Sequence, residues 1–402
     1  MPEILCLSNG HGEDEVGARL AVALQERGYP VQALPMVGRG DAYTKRAIAC
    51  WAEFQHQPPS GGFSRMGGQP LWADLRHGLV TATLQQVGAV CRFARQGGWV
   101  LAVGDVVPLM AAWWGGGPYA FVATAKSEYY WRDEAGVLPG QRPPWSGSEF
   151  YPWERWWMGH RRCRAAFVRD RLTAQHLQQR FRLAVYGLGN PMMDDLPPGE
   201  LPFLGGEWVV ALLPGSRPPE AYRNWERLLL GAGFLLEAFP YPLRLVAALA
   251  PALDLETLTA ALQRVGWQAV DALTYRWSGG TYLHLVRDRF GPCLHACHFG
   301  LTAAGTATEQ LVGLGKPAIA LVGQGPQFNR TFALAQGRLL GPSIRIVEEP
   351  RAIAQAALAM LADPDYFQMV MANGRERMGE PGATTRIVDR LLQAMARPKS
   401  QP

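Results

Sequence analysis

The stretch HFGLTAAGTATEQLVGLGKPAIALVGQGPQF, residues 298–328, decides how the rest of the chain is read. Small residues at Ala303, Ala304, Gly305, Thr306 and Ala307 let a backbone come close to a ligand, and the pattern from Thr306 to Gly313 predicts a helix opening from that turn. A helix that starts this way offers free N–H groups and the positive end of its dipole to a phosphate. Glu309 follows Thr306 by three residues and shares its helix face, where a carboxylate can accept hydrogen bonds from a ribose diol. Lys316 and Pro317 are expected to close the helix, and residues 318–322 read as a short buried strand. Strand, small-residue turn, helix and strand together form the ligand-facing half of an α/β crossover. Glycines that only permit tight packing would give the same local pattern.

Working outward, 402 residues suit two domains rather than one. With 48% hydrophobic and 18% charged residues the chain can bury a substantial core, which excludes wholesale disorder. A net charge of +5 fits an anionic ligand or an anionic membrane surface better than a dedicated nucleic-acid protein. Six scattered cysteines and the lack of a leader ahead of the first strand predict free thiols in a reducing cytosol. Cys293, His295, Cys297 and His298 lie close together, but no second ligand cluster accompanies them and zinc is disfavoured. No apolar run reaches the length of a membrane span. The nearest, residues 100–124, is broken by Asp105, Pro108, Gly115, Gly116, Gly117 and Pro118, and reads as strand, turn, short helix, turn, strand.

Residues 2–8 form an apolar strand, the turn SNGHGED follows at 8–14, and helical spacing then runs to Gly28 before a second strand at 31–35. The first turn of such a βαβ unit faces the crevice at the carboxyl end of the sheet. Asp14 and Glu15 are expected to serve the helix start through its dipole. His11 and Glu13, an imidazole and a carboxylate between glycines, are candidate site residues. Residues 61–68 read as loop, and 72–94 as a long amphipathic pattern with His77, Gln85 and Arg92 on polar faces. Residues 99–103 are the next strand, and Asp105 at its end is either an N-cap or a catalytic group. Residues 118–124 form another strand.

From 129 to 164 the chain changes character: nine aromatics, Tyr129 and Trp157 at their limits, alternate with prolines and with arginines. Such a stretch can form a loop-rich core, lie at a membrane interface or stack on bases, and the lack of a recognised nucleic-acid module favours membrane or acceptor contact over bases. A strand (165–168), a helix (173–180) and a strand (184–185) lead to GNPMMD at 189–194 and a proline- and glycine-rich linker. The second domain starts with a strand at 208–213 that ends in Pro214, Gly215, Ser216 and Arg217, a turn whose backbone donors, hydroxyl and guanidinium fork suit a diphosphate. Helices are expected at 224–239 and 255–265, strands at 243–248, 281–286, 299–302 and 344–347, and three helical runs at 351–361, 365–377 and 383–395.

GTATEQLVGLGKPAIAL, residues 305–321, resembles the donor-binding segment of GT-B glycosyltransferases. The ordered set SNGHGED, VGDVVP (103–108), GNPMMD, LLPGSR (212–217) and AGTATEQ (304–310) is similar to lipid-A-disaccharide synthase and, more closely, to the lipid-A-disaccharide synthase-related proteins. The resemblance covers most of the chain. It implies an α/β protein of GT-B fold, with two Rossmann-like domains facing a cleft and C-terminal helices crossing back to the first. Residues 1–195 would be the acceptor-side domain, 196–206 the linker, 207–378 the nucleotide-sugar-binding domain and 379–402 a helix and tail. The family moves a sugar from a nucleotide-diphosphate donor, here expected to be a UDP-sugar, to a lipid or lipid-linked acceptor. Transfer inverts the anomeric centre and uses neither metal nor cofactor, and the implied setting is cytoplasmic, peripheral to the membrane, with no nucleic-acid partner. Carried over by position, Gly215, Ser216 and Arg217 hold the diphosphate with Gly305, Thr306 and Ala307, Glu309 holds the ribose, and Asn190 joins the donor set. Asp105 is then the acid/base candidate, with His11 and Glu13 beside it. His11 and Glu13 replace small residues of the synthase loop, which points to a different acceptor or sugar. GNPMMD is also similar to a segment of sugar-nucleotide epimerases of that fold, so a UDP-N-acetylglucosamine 2-epimerase-like enzyme and a non-catalytic sugar-nucleotide or lipid binder stand as rival readings.

Overall fold

The computed structural model describes residues 1–51 and 79–396, with side chains of the helix that begins at Leu79 described from residue 84. The expected loop at 61–68, His77 and the start of the amphipathic segment lie outside the described residues. The chain forms two compact units, Met1–Asp194 with Glu380–Pro402, and Asp195–Gly379.

The first unit is built on a parallel sheet of β1 (Ile4–Ser8), β2 (Val31–Pro35), β3 (Ala49–Cys50), β4 (Trp99–Gly104), β5 (Tyr119–Ala123), β8 (Cys163–Phe167) and β9 (Val185–Tyr186), in the order β3-β2-β1-β4-β5-β8-β9. A small hairpin of β6 (Arg132–Asp133) and β7 (Gly136–Val137) stands apart from it. All five residues of β1 are buried because helices cover both faces. Ile4 and Cys6 point to one face, with Leu20 and Leu24 of α1 (His11–Glu26) and with Ile387, Val388 and Leu391 of the C-terminal helix Ala383–Ala396. Leu5 and Leu7 point to the other, with Val90 and Phe93 of the helix Leu79–Arg95, Leu109 of the helix Val106–Trp114 and Leu177 of the helix Arg171–Phe181. With the single helical turn Asp41–Thr44 as α2, these three are α3, α4 and, after α5 (Pro152–Met158), α6. Gln85 and Arg92 of α3 are exposed, as their polar faces required.

The second unit carries an eight-stranded sheet in the order β12-β13-β14-β11-β10-β15-β16-β17. Its parallel strands are β10 (Trp208–Leu213), β11 (Leu243–Ala248), β14 (Tyr282–Val286), β15 (Phe299–Thr302), β16 (Ala318–Leu321) and β17 (Ile344–Val347), and β12 (Gln268–Ala269) and β13 (Thr274–Arg276) add an antiparallel edge. The helices are α7 (Glu220–Ala238), α8 (Leu255–Arg264), α9 (Phe290–Ala296), α10 (Thr306–Gly313), α11 (Arg330–Leu340), α12 (Ala352–Leu361) and α13 (Tyr366–Met378). The C-terminal helix is α14.

Several expectations need correction. α5, α9 and α11 were not anticipated. α5 opens on Pro152 with Glu154 accepting from the Tyr151 N–H at 2.8 Å, and α11 opens on Asn329, whose side chain accepts from Phe332 N at 2.9 Å. α7 starts four residues before the expected Asn224. α10 is closed by Gly315, at φ +78°, rather than by Lys316 and Pro317. Gly315 N bonds Val312 O and Lys316 N bonds Leu311 O, the Schellman arrangement.

Asp194, the last residue of GNPMMD, accepts from the N–H groups of Gly382 (2.7 Å), Ala383 (3.0 Å) and Thr384 (2.6 Å), so its carboxylate caps α14 from far away in sequence. Asp194→Ala should lower the stability of the first unit by about 1–2 kcal/mol, read by denaturant unfolding. A loss no larger than that of an exposed control such as Asp389→Ala would remove the cap from this role.

Candidate functional site

Each sheet reverses its winding between two central strands, β1 and β4 in the first unit and β10 and β15 in the second. Ligands of open α/β sheets bind outside the carboxyl ends of the strands at such a reversal. The candidate residues fall at these two places, apart from Asn190.

In the first unit the register pairs Ser8 with Val103, which brings the residues after both strands side by side. Asn9 Nδ2 donates to Asp105 Oδ1 at 2.6 Å, and the same oxygen accepts from Val107 N at 2.9 Å, making Asp105 the N-cap of α4. Because a carboxylate only accepts, this contact fixes the amide with nitrogen toward Asp105 and oxygen toward Gly104. That oxygen is buried and has no partner among the described residues. An alanine methyl at Gly104, whose φ is +132°, would stand 2.2 Å from it, so glycine is required there. Glu13 packs against the same glycine and accepts from Thr124 Oγ1, just past β5, at 3.3 Å. Asn9, Glu13, Asp105 and Thr124 thus converge, and His11, first residue of α1, is exposed.

Asp14 and Glu15 do not act as helix-start residues in the way expected. The N-cap of α1 is Gly10, with no side-chain cap. Glu15 pairs with Arg46 at 2.9 Å. Asp14 is buried and accepts from Ser8 Oγ at 2.6 Å, and since that hydroxyl has one hydrogen, the Tyr43 hydroxyl 2.8 Å away donates to Ser8. Burial pushes the Asp14 carboxyl up to about 7, against the Ser8 bond that lowers it, and burial likewise pushes the neighbouring Cys6 thiol up to about 12. Tyr43, Ser8 and Asp14 form a donor chain directly beneath the turn that bears His11 and Glu13.

In the second unit Leu213 pairs with Thr302, so the turns Pro214–Arg217 and Ala303–Thr306 leave the sheet together. Asn224 of α7 ties them: its Nδ2 donates to Pro214 O and to Ala303 O, both at 3.2 Å. Gly215 has φ +100° and lies against the Ala303 carbonyl. Gly305 precedes α10, and its carbonyl is held by Gln336 Nε2 at 2.9 Å. Thr308 Oγ1 donates to Ala304 O at 2.6 Å. Ser216 and Thr306 are exposed, and Arg217, Ala307 and Glu309 half-buried. Glu220 accepts from Gln327 N (3.0 Å) and Phe328 N (2.7 Å), anchoring the glycine-rich turn after β16. The result is a pair of turns at a helix start, one ending in Arg217 and the other leading into the first turn of α10 with Glu309, residue types suited to a diphosphate and a diol.

Asn190 belongs to neither set. It is 3% exposed in the first unit and its side chain engages Met192, accepting from its N–H at 3.2 Å. Cys293 and Cys297 are buried with thiols pushed up to about 12 by desolvation, His295 bonds Leu196 O, and His298 Nδ1 accepts from Val209 N. Asn9, Thr124, Asn224, Glu220 and Gln336 were not singled out from sequence. Asn9 lies in the quoted first turn; for the others no local pattern marks them.

Two doubly wound units with their polar groups at the winding reversals define a GT-B protein. The solved structures similar over essentially the whole chain include CalG4, the calicheamicin glycosyltransferase (TM-score 0.63, 16% identity, 100% of each chain covered) and MurG from Acinetobacter baumannii (0.59, 13%, 98% of this chain and 100% of that one). MnaA from S. aureus, in complex with UDP, is similar too (0.60, 14%, 100% and 99%), and so are structures of UDP-N-acetylglucosamine 2-epimerases, among them those from Neisseria meningitidis and Methanocaldococcus jannaschii. No protein-family model and no curated protein matches the sequence.

A carboxyl group raised from 3.8 to about 7 on folding favours the folded state while it stays protonated. Its contribution is complete below about pH 4 and is lost as pH climbs through about 7. Asp14→Asn should therefore flatten the fall in melting temperature between about pH 4 and about pH 7. An unchanged pH slope in the variant would refute this account of Asp14.

Proposed function

We propose that this protein is a sugar-nucleotide enzyme: a glycosyltransferase that takes a sugar from a nucleotide-diphosphate donor, a UDP-sugar, and passes it to a lipid or lipid-linked acceptor, as the lipid-A-disaccharide synthase-like sequence set implies. The observation that carries the reading is the pair of turns in the second unit. There Asn224 holds two turns in register, Gly215 and Gly305 open them to a ligand, Arg217 ends the first turn, and Glu309 lies in the first turn of α10. Diphosphate oxygens would take the backbone donors and Arg217, and the ribose diol would take Glu309. The UDP found with the S. aureus relative of this fold supports that nucleotide. In the first unit Asp105, Glu13 and His11 supply the acid/base groups for an acceptor hydroxyl.

The acceptor's lipid character is supported by the surface of the first unit. Trp114, Trp145, Trp153 and Trp156 are 49%, 77%, 46% and 55% exposed, while Tyr129 and Phe150 of the same aromatic region are buried. Trp153 and Trp156 lie one turn apart on α5, and the Arg162 guanidinium sits 5.9 Å from the Trp113 ring. Indole rings with adjacent cations suit the headgroup region of an anionic membrane, to which flotation with liposomes is sensitive. No helix among the described residues is long and apolar enough to cross a membrane. The epimerase reading draws equal support from the neighbours of that activity and from the same carboxylates and imidazole.

UDP at about 100 times its dissociation constant should raise the stability by roughly 2.7 kcal/mol, and Arg217→Ala or Glu309→Ala should weaken UDP at least about tenfold. Equal thermal shifts in wild type and both variants would sink the donor site. Incubation with UDP-N-acetylglucosamine alone separates the two activities, because an epimerase converts it without an acceptor. Asp105→Asn keeps a capping oxygen but removes the charge, so kcat should fall by about 10² to 10⁴ with UDP affinity nearly unchanged. Normal turnover in that variant would leave Asp105 a cap and pass the base to His11 or Glu13, with His11→Ala as the next measurement.

A further inference from the structure

The first unit contains a second polar feature that the sugar-nucleotide reading does not use. A cavity of about 490 Å³ is lined by Arg132, Pro143, Gly147, His176, Gln179 and Arg180. Next to it Glu128, fully buried, accepts from Arg132 Nε (2.8 Å), Ser148 Oγ (2.5 Å) and Glu149 N (2.8 Å). Its Oε2 also lies 3.7 Å from His176 Nε2, so Arg132 and His176 both face this carboxylate, and Arg180 is the lining cation that it does not engage. His176 Nε2 lies 3.0 Å from Gly147 O; a carbonyl only accepts, so Nε2 carries a proton and donates. Arg180, on the last turn of α6, is exposed and has no hydrogen-bond or ion-pair partner among the described residues. A cation in a last helical turn is favoured by the dipole alone. That accounts for one residue, and not for a concave lining in which two guanidinium groups, an imidazole and an amide meet without an acidic side chain.

We propose that this cavity is a phosphate-binding pocket, with Arg180 the principal ligand and His176 and Gln179 beside it. A tetrahedral anion with several acceptor oxygens matches donors arriving from a helix and a loop, and the Arg fork suits it in particular. The loop that supplies Pro143 and Gly147 also carries Trp145, 77% exposed, so a phosphate presented at a lipid surface could enter while the indole lies in the headgroup layer. Free phosphate and a phospholipid headgroup offer the same chemistry here.

The test compares wild type, Arg180→Glu and Arg180→Lys in two assays: calorimetric titration with inorganic phosphate, and flotation with phosphatidylcholine vesicles with and without phosphatidic acid. Arg180→Glu should lose at least about tenfold in affinity for the phosphate-bearing probe and Arg180→Lys should keep most of it. The melting temperature and the UDP shift should not move, because Arg180 is exposed and unpartnered. Arg180-dependent binding of vesicles that inorganic phosphate fails to displace assigns the pocket to a lipid headgroup, and displacement assigns it to the free anion. If Arg180→Glu and Gln179→Glu both bind phosphate and phosphatidic acid vesicles as wild type does, the pocket is refuted. The unchanged UDP shift keeps this outcome distinct from a failure of the nucleotide site.

Discussion

A parallel strand covered by helices on both faces has little room for polar side chains along its length, and that constraint governs where most of the polar groups of the candidate sites lie in this protein. β1, β5 and β16 are buried end to end, and β4 and β10 are buried beyond their first residues. Polar groups are therefore pushed to the turns after the strands. There the winding reversals between β1 and β4 and between β10 and β15 open space that no crossover helix fills. Asn9, Glu13, Asp105 and Thr124 in one unit, and the turns flanked by Arg217 and Glu309 in the other, occupy that space.

The protein treats its buried and half-buried carboxylates in different ways, and the difference lies in the partners. Asp194 takes three backbone N–H groups at a helix start, where the dipole also favours its charge. Glu128 takes an arginine, a hydroxyl and an amide and is fully matched. Asp14 is offered one hydroxyl and no cation, so desolvation wins and its pKa rises. Lys126 and Glu154, 2.5 Å apart, sit between these cases: the cation lowers the Glu154 pKa but burial outweighs it.

The aromatic region after β5 divides along the same physical line. Tyr129 and Phe150 complete a core under the loops, and the Trp131 indole donates to Glu149 at 2.6 Å. The exposed tryptophans Trp156 and Trp153 are placed by contact rather than scattered: Trp156 lies 5.2 Å from the half-buried Trp113 of α4, and Trp153 stacks on Tyr151 at 4.8 Å. A core role and a surface role thus coexist in one segment, which composition alone could not separate.

Strand and helix identity through most of the chain was legible because it is a local matter. Buried parallel strands are short apolar runs, surface helices repeat every 3.6 residues, and small-residue turns separate them. β10, β11, β15 and β17 fall where those runs fall, and so does the turn before α10. The seven-residue helices α5 and α9 escaped because two turns carry too little periodicity to stand out. α11 escaped although Asn329 ahead of it is a usable capping signal. Which role each candidate plays was a different matter. Asp105 reads from sequence as cap or base, and what no local pattern announces is that the oxygen capping α4 also accepts from Asn9, 96 residues away. Asn224 looked like the beginning of a helix and proved to brace two turns from inside one. Asp194 and Asp14 have partners 188 residues and six residues away, and neither separation follows any repeat. Periodicity records which face of an element is apolar; it carries no record of which turns meet, because that depends on strand register and on the path of the chain between the strands, and these only the tertiary structure decided.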